Sequence, residues 1–558
     1  MLPKNSYEIV LLALLVFLHQ HVLNCVFRCL DSAHRFVTVL YHVHVTKKLP
    51  AAPRPRRADS ICGCLEWYLL GHARLILETR GHGGVQLLLA EWRANTTGNC
   101  FVIWLGPFTP NIVLHDPSTV KHVLTSTKLF TKSFVYDAIR FVVPEGITNA
   151  EGDRWKFLRR LVTPCFHNEV VELLVQTMSD TGKQHLAQWA SENKSDTTIK
   201  KASSVNFHER ISRLTLAIIM RATLGREGDY TDTTTYADFG QMMSYTAETL
   251  VSPLRFLLGS WIYIRLPLAE HREYHARIAR LETIVTRALR DAMAEDQEED
   301  QEENQEEEAD DTRTDQPTNL MRLLLREQRA SGSNFTEKTL RDQLGTFLAA
   351  GHDTTASLIS FTINQCLRNV SIMKKLREEA DIVLPNDEEE VVGYGQVARL
   401  VYTTACLQEG LRLDSPGPII AREAKRATTL VGENQEKVPV AEGTSVWLAI
   451  YLLHRDPKHW DDPDTYDPTR WLLPAGSSSE SNKQQQQRPT TSYIPFSYGA
   501  RNCVGQRFAM LEAATLLSMI VRSFDMKLDE TKPPIVRETA LVNRPRDGLW
   551  VHMVPREK

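Results

Sequence analysis

Residues 495–510 read PFSYGARNCVGQRFAM and place a cysteine, Cys503, in a turn-prone loop just before a run of helical periodicity that begins near Gln506. The pattern F-x-x-G-x-R-x-C-x-G runs through Phe496, Gly499, Arg501, Cys503 and Gly505. Five fixed positions arise by chance on the order of once in ten thousand chains of this length. Each position has a physical reason. Amide N–H groups at a helix start stabilise a thiolate by dipole and hydrogen bond, and a thiolate is a metal ligand. Gly499 and Gly505 permit turns that a side chain would obstruct, so the main chain can lie close to a flat cofactor. Arg501 offers a permanent positive charge for a cofactor carboxylate, and Phe496 shields the sulfur from water.

The chain has 558 residues, 42% hydrophobic and 24% charged, which is enough apolar material for a sizeable core in one large domain or a few smaller ones. Its net charge of −4 hides an asymmetry. Twelve carboxylates fall in EDQEEDQEENQEEEADD, Glu295 to Asp311, and the remainder carries 65 cationic against 57 anionic side chains, a net +8. A mildly basic body suits an anionic membrane surface or an acidic partner protein; no ordered basic stripe points to nucleic acid. Nine cysteines, an odd number, lack the spacing of a disulfide framework. The thiols read as reduced and the body as cytosolic, which makes the sequons at Asn95, Asn193, Asn334 and Asn369 accidental.

The N-terminus carries IVLLALLVFL, Ile9 to Leu18, diluted by polar residues as it continues to Phe27. A bilayer span needs about 20 mostly apolar residues. Seven basic residues between Arg28 and Arg57 follow it, against Lys4 before it, which predicts an uncleaved single-pass anchor with a cytosolic body. The expected layout is an anchor and flank over 1–48, a proline- and arginine-rich linker over 49–60, and one domain over 61–558. Two compositionally biased insertions, 295–317 and 476–491, interrupt that domain. The acidic one cannot bury enough apolar surface to order itself. Helical patterns dominate the rest, and short strand-like runs such as TSVWLAIY and GLWVHMV come late, so the fold class is mainly α with a small β portion.

Further motifs stand in a fixed order. AAGHDTT, Ala349 to Thr355, lies in a long helical pattern about 150 residues before Cys503. QEGLRL puts Glu409 and Arg412 on one helix face, and YDPTRW supplies Arg470 downstream. GDRWKFLRR has Trp155 and Arg159 one turn apart, and PIIAREA carries Arg422. With the cysteine loop, this set resembles the cytochrome P450 family, and the resemblance covers roughly four-fifths of the chain from Phe101 onward.

The resemblance implies the cytochrome P450 fold and a haem b whose iron is held by Cys503 as thiolate. It implies that Trp155, Arg159, Arg422 and Arg501 face the haem carboxylates, with Phe496 and Gly505 beside the ring. Asp353 and Thr354 would deliver protons to bound dioxygen. Gly351 would leave space beside the iron, with local loosening of its helix. Phe347, Leu348, Ala349, Gly351, Pro416, Ile419 and Ile420 would line an apolar substrate pocket. Glu409, Arg412 and Arg470 form a bracing triad, a structural role rather than a catalytic one, and His454 in LLHRDPKHW is structural too. LRLDSPGPII departs from the usual aromatic-Pro-Pro at Asp414 and Ser415, which leaves the pocket shape open.

The activity so implied is monooxygenation: one atom of dioxygen enters a C–H or C=C bond of a hydrophobic organic molecule and the other leaves as water. No NAD(P)H-binding fingerprint is visible, so electrons come from NADPH through a separate NADPH-cytochrome P450 reductase, with cytochrome b5 as a further candidate partner. The implied location is the endoplasmic reticulum membrane. The two insertions resemble those of filamentous-fungal sequences and point towards specialised metabolism. Two alternatives are a reductase-independent haem-thiolate isomerase or dehydratase, against which the Asp353–Thr354 pair weighs, and a non-catalytic haem sensor.

Overall fold

The computed structural model describes residues 84–556, together with His72, Leu75 and Ile76, except 106–109, 193–202, 226–232, 253–259, 304–318, 332–335, 386–389, 473–489 and 540–541. The expected anchor (1–48) and linker (49–60) lie outside these residues. Among the described residues no helix is long and apolar enough to cross a membrane.

The fold is mainly helical with a small β portion. Its axis is the 32-residue helix α9, Glu337–Arg368, numbered after α1 (Gly84–Ala94), α2 (Pro117–Thr125), α3 (Gly152–Val162), α4 (Asn168–Glu192), α5 (Phe207–Leu224), α6 (Thr233–Val251), α7 (Ala269–Glu303) and α8 (Leu320–Ser331). It is buried nearly all round, as a helix through the centre of a large core must be. The Thr336 hydroxyl caps its start by accepting the Thr339 N–H at 3.1 Å. Asn369 ends it and caps α10, Val370–Val383, its side chain accepting the Ser371 and Ile372 N–H groups. One of the four sequon asparagines is therefore a helix junction.

Two further helices frame the site. α11, Val401–Leu413, carries Glu409 and Arg412, and α12, Gln506–Ser523, follows the cysteine loop. Both pack against α9. The main sheet has the order β1-β2-β8-β5-β3 and joins early to late chain: β1 (Cys100–Trp104), β2 (Pro110–Leu114), β3 (Phe130–Lys132), β5 (Ile419–Ala424) and β8 (Ser445–Ala449). β3 pairs antiparallel with β5, so Lys132 stands opposite Arg422. Smaller sheets pair β6 (Thr428–Val431) with β7 (Lys437–Val440), join β4 (Ser204–Asn206), β12 (Trp550–Pro555) and β9 (Phe524–Leu528), and form a hairpin of β10 (Arg537–Thr539) and β11 (Asn543–Pro545) near the C-terminus.

The acidic insertion departs from expectation at its start. α7 runs on to Glu303, through the first nine residues of the insertion. Glu and Gln are good helix formers, and a helix already nucleated on a buried face propagates at little cost.

Candidate active site

The cysteine loop is built from tight turns. Gly499 adopts φ +77°, a left-handed conformation, and a Cβ there would lie 3.1 Å from the Leu124 carbonyl oxygen of α2. The glycine is thus required both by the turn and by the close approach of α2. Gly505 is different: its φ is −86°, and a Cβ would meet only Phe166 Cε1 at 3.7 Å. The backbone-turn reason offered for it does not hold, which leaves only room on its open side. The Cys503 N–H donates to the Phe496 carbonyl at 2.9 Å, closing the loop ahead of α12.

Cys503 remains accessible although protein encloses it, so its sulfur faces an interior hollow. Burial pushes its thiol pKa up; a hydrogen bond from the Gly505 N–H and the charge of Arg159 pull it back down. Arg159 takes its position by donating to the Asn502 carbonyl at 2.7 Å and to Asn502 Oδ1 at 2.8 Å. It braces the cysteine loop, therefore, and its hydrogen bonds go to the loop itself.

Positive charge collects beside the loop. The Arg501 side chain is 6% exposed and pairs through two N–H groups with Glu151, while its buried Nε has no hydrogen-bond partner. Its guanidinium carbon lies 5.1 Å from the centre of the Trp155 ring. Arg422 is buried and donates to the Tyr136 hydroxyl at 3.2 Å and its neighbour's carbonyl at 2.9 Å. Lys132, which the sequence reading missed, donates to the carbonyls of Ile147 and Ala150. Burial lowers its pKa from 10.5 to about 7, opposed by Glu151 and reinforced by Arg501, Arg422 and Arg140. The charges of three arginines thus act on Lys132 against that of Glu151, and Arg140 also pairs with Asp137 at 3.3 Å. Only strand pairing reveals Lys132: it stands opposite Arg422 in the sheet and lies 290 positions earlier.

Behind the loop the charges close on themselves. Glu409 and Arg412 are fully buried and joined by two hydrogen bonds of 2.9 and 2.7 Å. Arg412 also donates to the carbonyls of His454, Pro463 and Thr465 at 2.9, 2.5 and 3.0 Å. Glu409 accepts from the Asp467 N–H and Trp471 Nε1, and it forms an ion pair with Arg470, whose Nε lies 3.3 Å away. His454 Nε2 accepts the Ile494 N–H at 2.9 Å, so Nδ1 is the protonated nitrogen and donates to the Arg412 carbonyl. Its pKa is pushed down to about 3 by burial, and the neutral ring links the triad to the strand-like approach to the cysteine loop.

In the middle of α9, Ala350 is exposed and Thr354 partly accessible, one turn apart. Thr354 Oγ1 donates back to the Ala350 carbonyl at 2.8 Å. Residues 65–551 match the family described as Cytochrome P450. The chain is a cytochrome P450. It is 26% identical to cytochrome P450 4F8 of Homo sapiens over 515 residues, 92% of each chain. It is 30% identical to cytochrome P450 4X1 of Mus musculus over 460 residues, 81% of this chain and 83% of the relative. It also resembles the Arabidopsis thaliana protein LUTEIN DEFICIENT 5, chloroplastic, at 28% over 467 residues, 83% of this chain and 73% of that one.

As a cytochrome P450 the protein is a haem-thiolate monooxygenase: it uses haem held by a cysteine thiolate, with electrons from NADPH supplied through a reductase. The residues present fit that group. A soft sulfur faces an interior hollow, and an excess of buried cations, one with an orphaned N–H, matches the two carboxylates that haem carries.

The residues expected at the pocket take different positions. Gly351 lies against α5, where a Cβ would sit 2.7 Å from Ile219 Cγ1, so it serves close helix packing. α9 is unbroken there and shows no local loosening. Phe347 points into the core, edge-on to Phe166 at 5.2 Å, and Leu348 lines a small apolar cavity with Val143, Phe239 and Met242. Ile419 and Ile420 cannot both face the hollow, because successive strand residues alternate; they pack on different hydrophobic clusters. Ala349 stays partly accessible, and Pro416 is buried, its carbonyl accepting the Asn543 N–H.

Two residues escaped the sequence reading besides Lys132. Glu151 holds Arg501. Glu512 on α12 is fully buried with its pKa pushed up to about 8 by burial. The nearby Thr355 hydroxyl donates to the Gly351 carbonyl, and neither Glu512 oxygen has a hydrogen bond of its own.

Proposed function

We propose that this cytochrome P450 hydroxylates or epoxidises a hydrophobic organic substrate, with Cys503 as the axial thiolate and a separate NADPH-cytochrome P450 reductase as electron donor. The observation that carries the reading is the sulfur of Cys503, open to an interior hollow while Gly505 N–H and Arg159 favour its charged form. Haem, when bound, supplies dioxygen activation. The chain supplies the rest. Arg501, Arg422 and Lys132 bind the two carboxylates, Trp155 buttresses Arg501, and Arg159 holds the cysteine loop in register. Phe496 covers the loop from the core side.

Protons cross α9 between adjacent residues. Asp353 is buried on the wall of a polar hollow of about 420 Å³ that it shares with His352, His208, Glu209 and Arg544. Thr354 lies about 100° further round the helix. Asp353 takes protons from water in that hollow, and Thr354 Oγ1, released from the Ala350 carbonyl, passes them into the site. Ala349 and the stretch Pro416–Ile420 contribute apolar wall. Residues 1–48 form the endoplasmic reticulum anchor, 49–60 the linker, and 61–558 the catalytic domain on the cytosolic side. The biased insertions are the support for a place in specialised metabolism. Cys503→Ala tests the reading: the reduced carbonyl complex should lose its thiolate-type band, and an unchanged band would refute the ligand.

A further inference from the structure

The departure LDSPGP between α11 and β5 places a carboxylate where physics disfavours one. Asp414 is the residue that ends α11, where the helix dipole is negative, and its side chain is 2% exposed. Its charge is met from 123 residues away by Arg537 of β10, bonded through Nε. Asp414 is the main cause that raises the Arg537 pKa. The same hairpin grips the segment a second time: Asn543 of β11 donates its N–H to the Pro416 carbonyl at 2.8 Å and Nδ2 to the Ser415 carbonyl at 3.4 Å. Further along β11, Arg544 and Pro545 wall the polar hollow that holds Asp353 and His352 of α9. The hairpin therefore stands between α9 and the segment leading into Pro416–Ile420.

An apolar pair of similar volume would stabilise the fold as well as or better than this buried ion pair. What two opposite charges add is one permitted geometry. We propose that the Asp414–Arg537 pair is a positioning device that fixes Pro416–Ile420 relative to α9 and so sets the length of apolar ligand the pocket accepts. This rests on the reading of Pro416–Ile420 as pocket wall.

The test is spectral titration of the holoenzyme with bare imidazole and with 1-alkylimidazoles of increasing tail length, for wild type, Asp414→Asn and Arg537→Gln, alongside thermal melting. The imidazole head reports access to the iron, and the tail reports the pocket. Both variants should bind bare imidazole within about twofold of wild type, lose roughly tenfold for the longest tails, and shift the preferred length. The double variant should be no worse than either single one, because both remove the same coupling. Should Asp414→Asn fail to retain haem, Arg537→Gln, whose side chain is 30% exposed, carries the test. An unchanged length preference, or an equal loss for every probe, overturns the proposal. A wild-type protein blind to imidazole overturns the haem reading beneath it.

Discussion

Two groups of charge, one that includes Arg501 of the cysteine loop and one built on Glu409, differ in whether the protein completes them. In the Glu409–Arg412–Arg470 network the carboxylate meets two guanidinium groups, an indole and a backbone N–H, and Arg412 finds three carbonyls. At Lys132, Arg422 and Arg501 the chain sets one carboxylate, Glu151, against three cations. A closed network has no use for a ligand; an open one gains from an anion. The first braces, and the second binds.

Breaking the closed side should cost most. Arg412→Ala strands the fully buried Glu409 carboxylate and should destabilise the fold by about 3–5 kcal/mol. Chemical denaturation with and without added haem checks it. If the loss is the same in both, the triad acts on the fold, as the comparison requires; a loss confined to the haem-loaded form would turn it into part of the binding site.

The open side should respond with the opposite sign. Lys132 has its pKa lowered to about 7 from 10.5, so between those values the unfolded chain binds a proton that the folded haem-free chain does not. Stability of the haem-free protein should therefore rise with pH from about 7 to about 10.5 and level off below. Haem carboxylates beside the amine should restore an ordinary lysine pKa and flatten that slope. Lys132→Met should stabilise the haem-free protein by about 1–3 kcal/mol, allowing for partial solvent screening, while weakening haem retention. Urea unfolding across that pH range, with and without haem, measures both; a mutant that keeps the slope would place its origin elsewhere.

The contrast also marks what could be read in the sequence. Glu409 and Arg412 are three apart on one helix, and Cys503, Arg501 and Gly499 share one loop, so local spacing exposes them. Lys132 and Glu151 belong to the site through strand pairing and a turn, which no periodicity reports. The helical bulk with late strands was legible because apolar spacing is local. A motif names residues without the helix face they occupy, so the packing of Gly351 on Ile219 is not legible in it, and strand alternation puts Ile419 and Ile420 on different clusters. Asp414 read as an interruption until Arg537 stood opposite it.

The smallest stability effect should come from the proposed proton-delivery residue. Thr354 belongs to neither charge group; its hydroxyl bonds only to the preceding turn, and its face of α9 is accessible. Thr354→Ala should change stability by less than about 0.5 kcal/mol and leave haem content intact. It should instead let NADPH consumption outrun product, with peroxide making up the difference, because the proposed relay from Asp353, about 100° round the helix, then meets no hydroxyl at that position. Restoring a hydroxyl with Thr354→Ser should recover coupling, which a packing defect would not. Tight coupling in the alanine variant would show that protons reach the site by another route, and would move attention to the polar hollow behind Asp353.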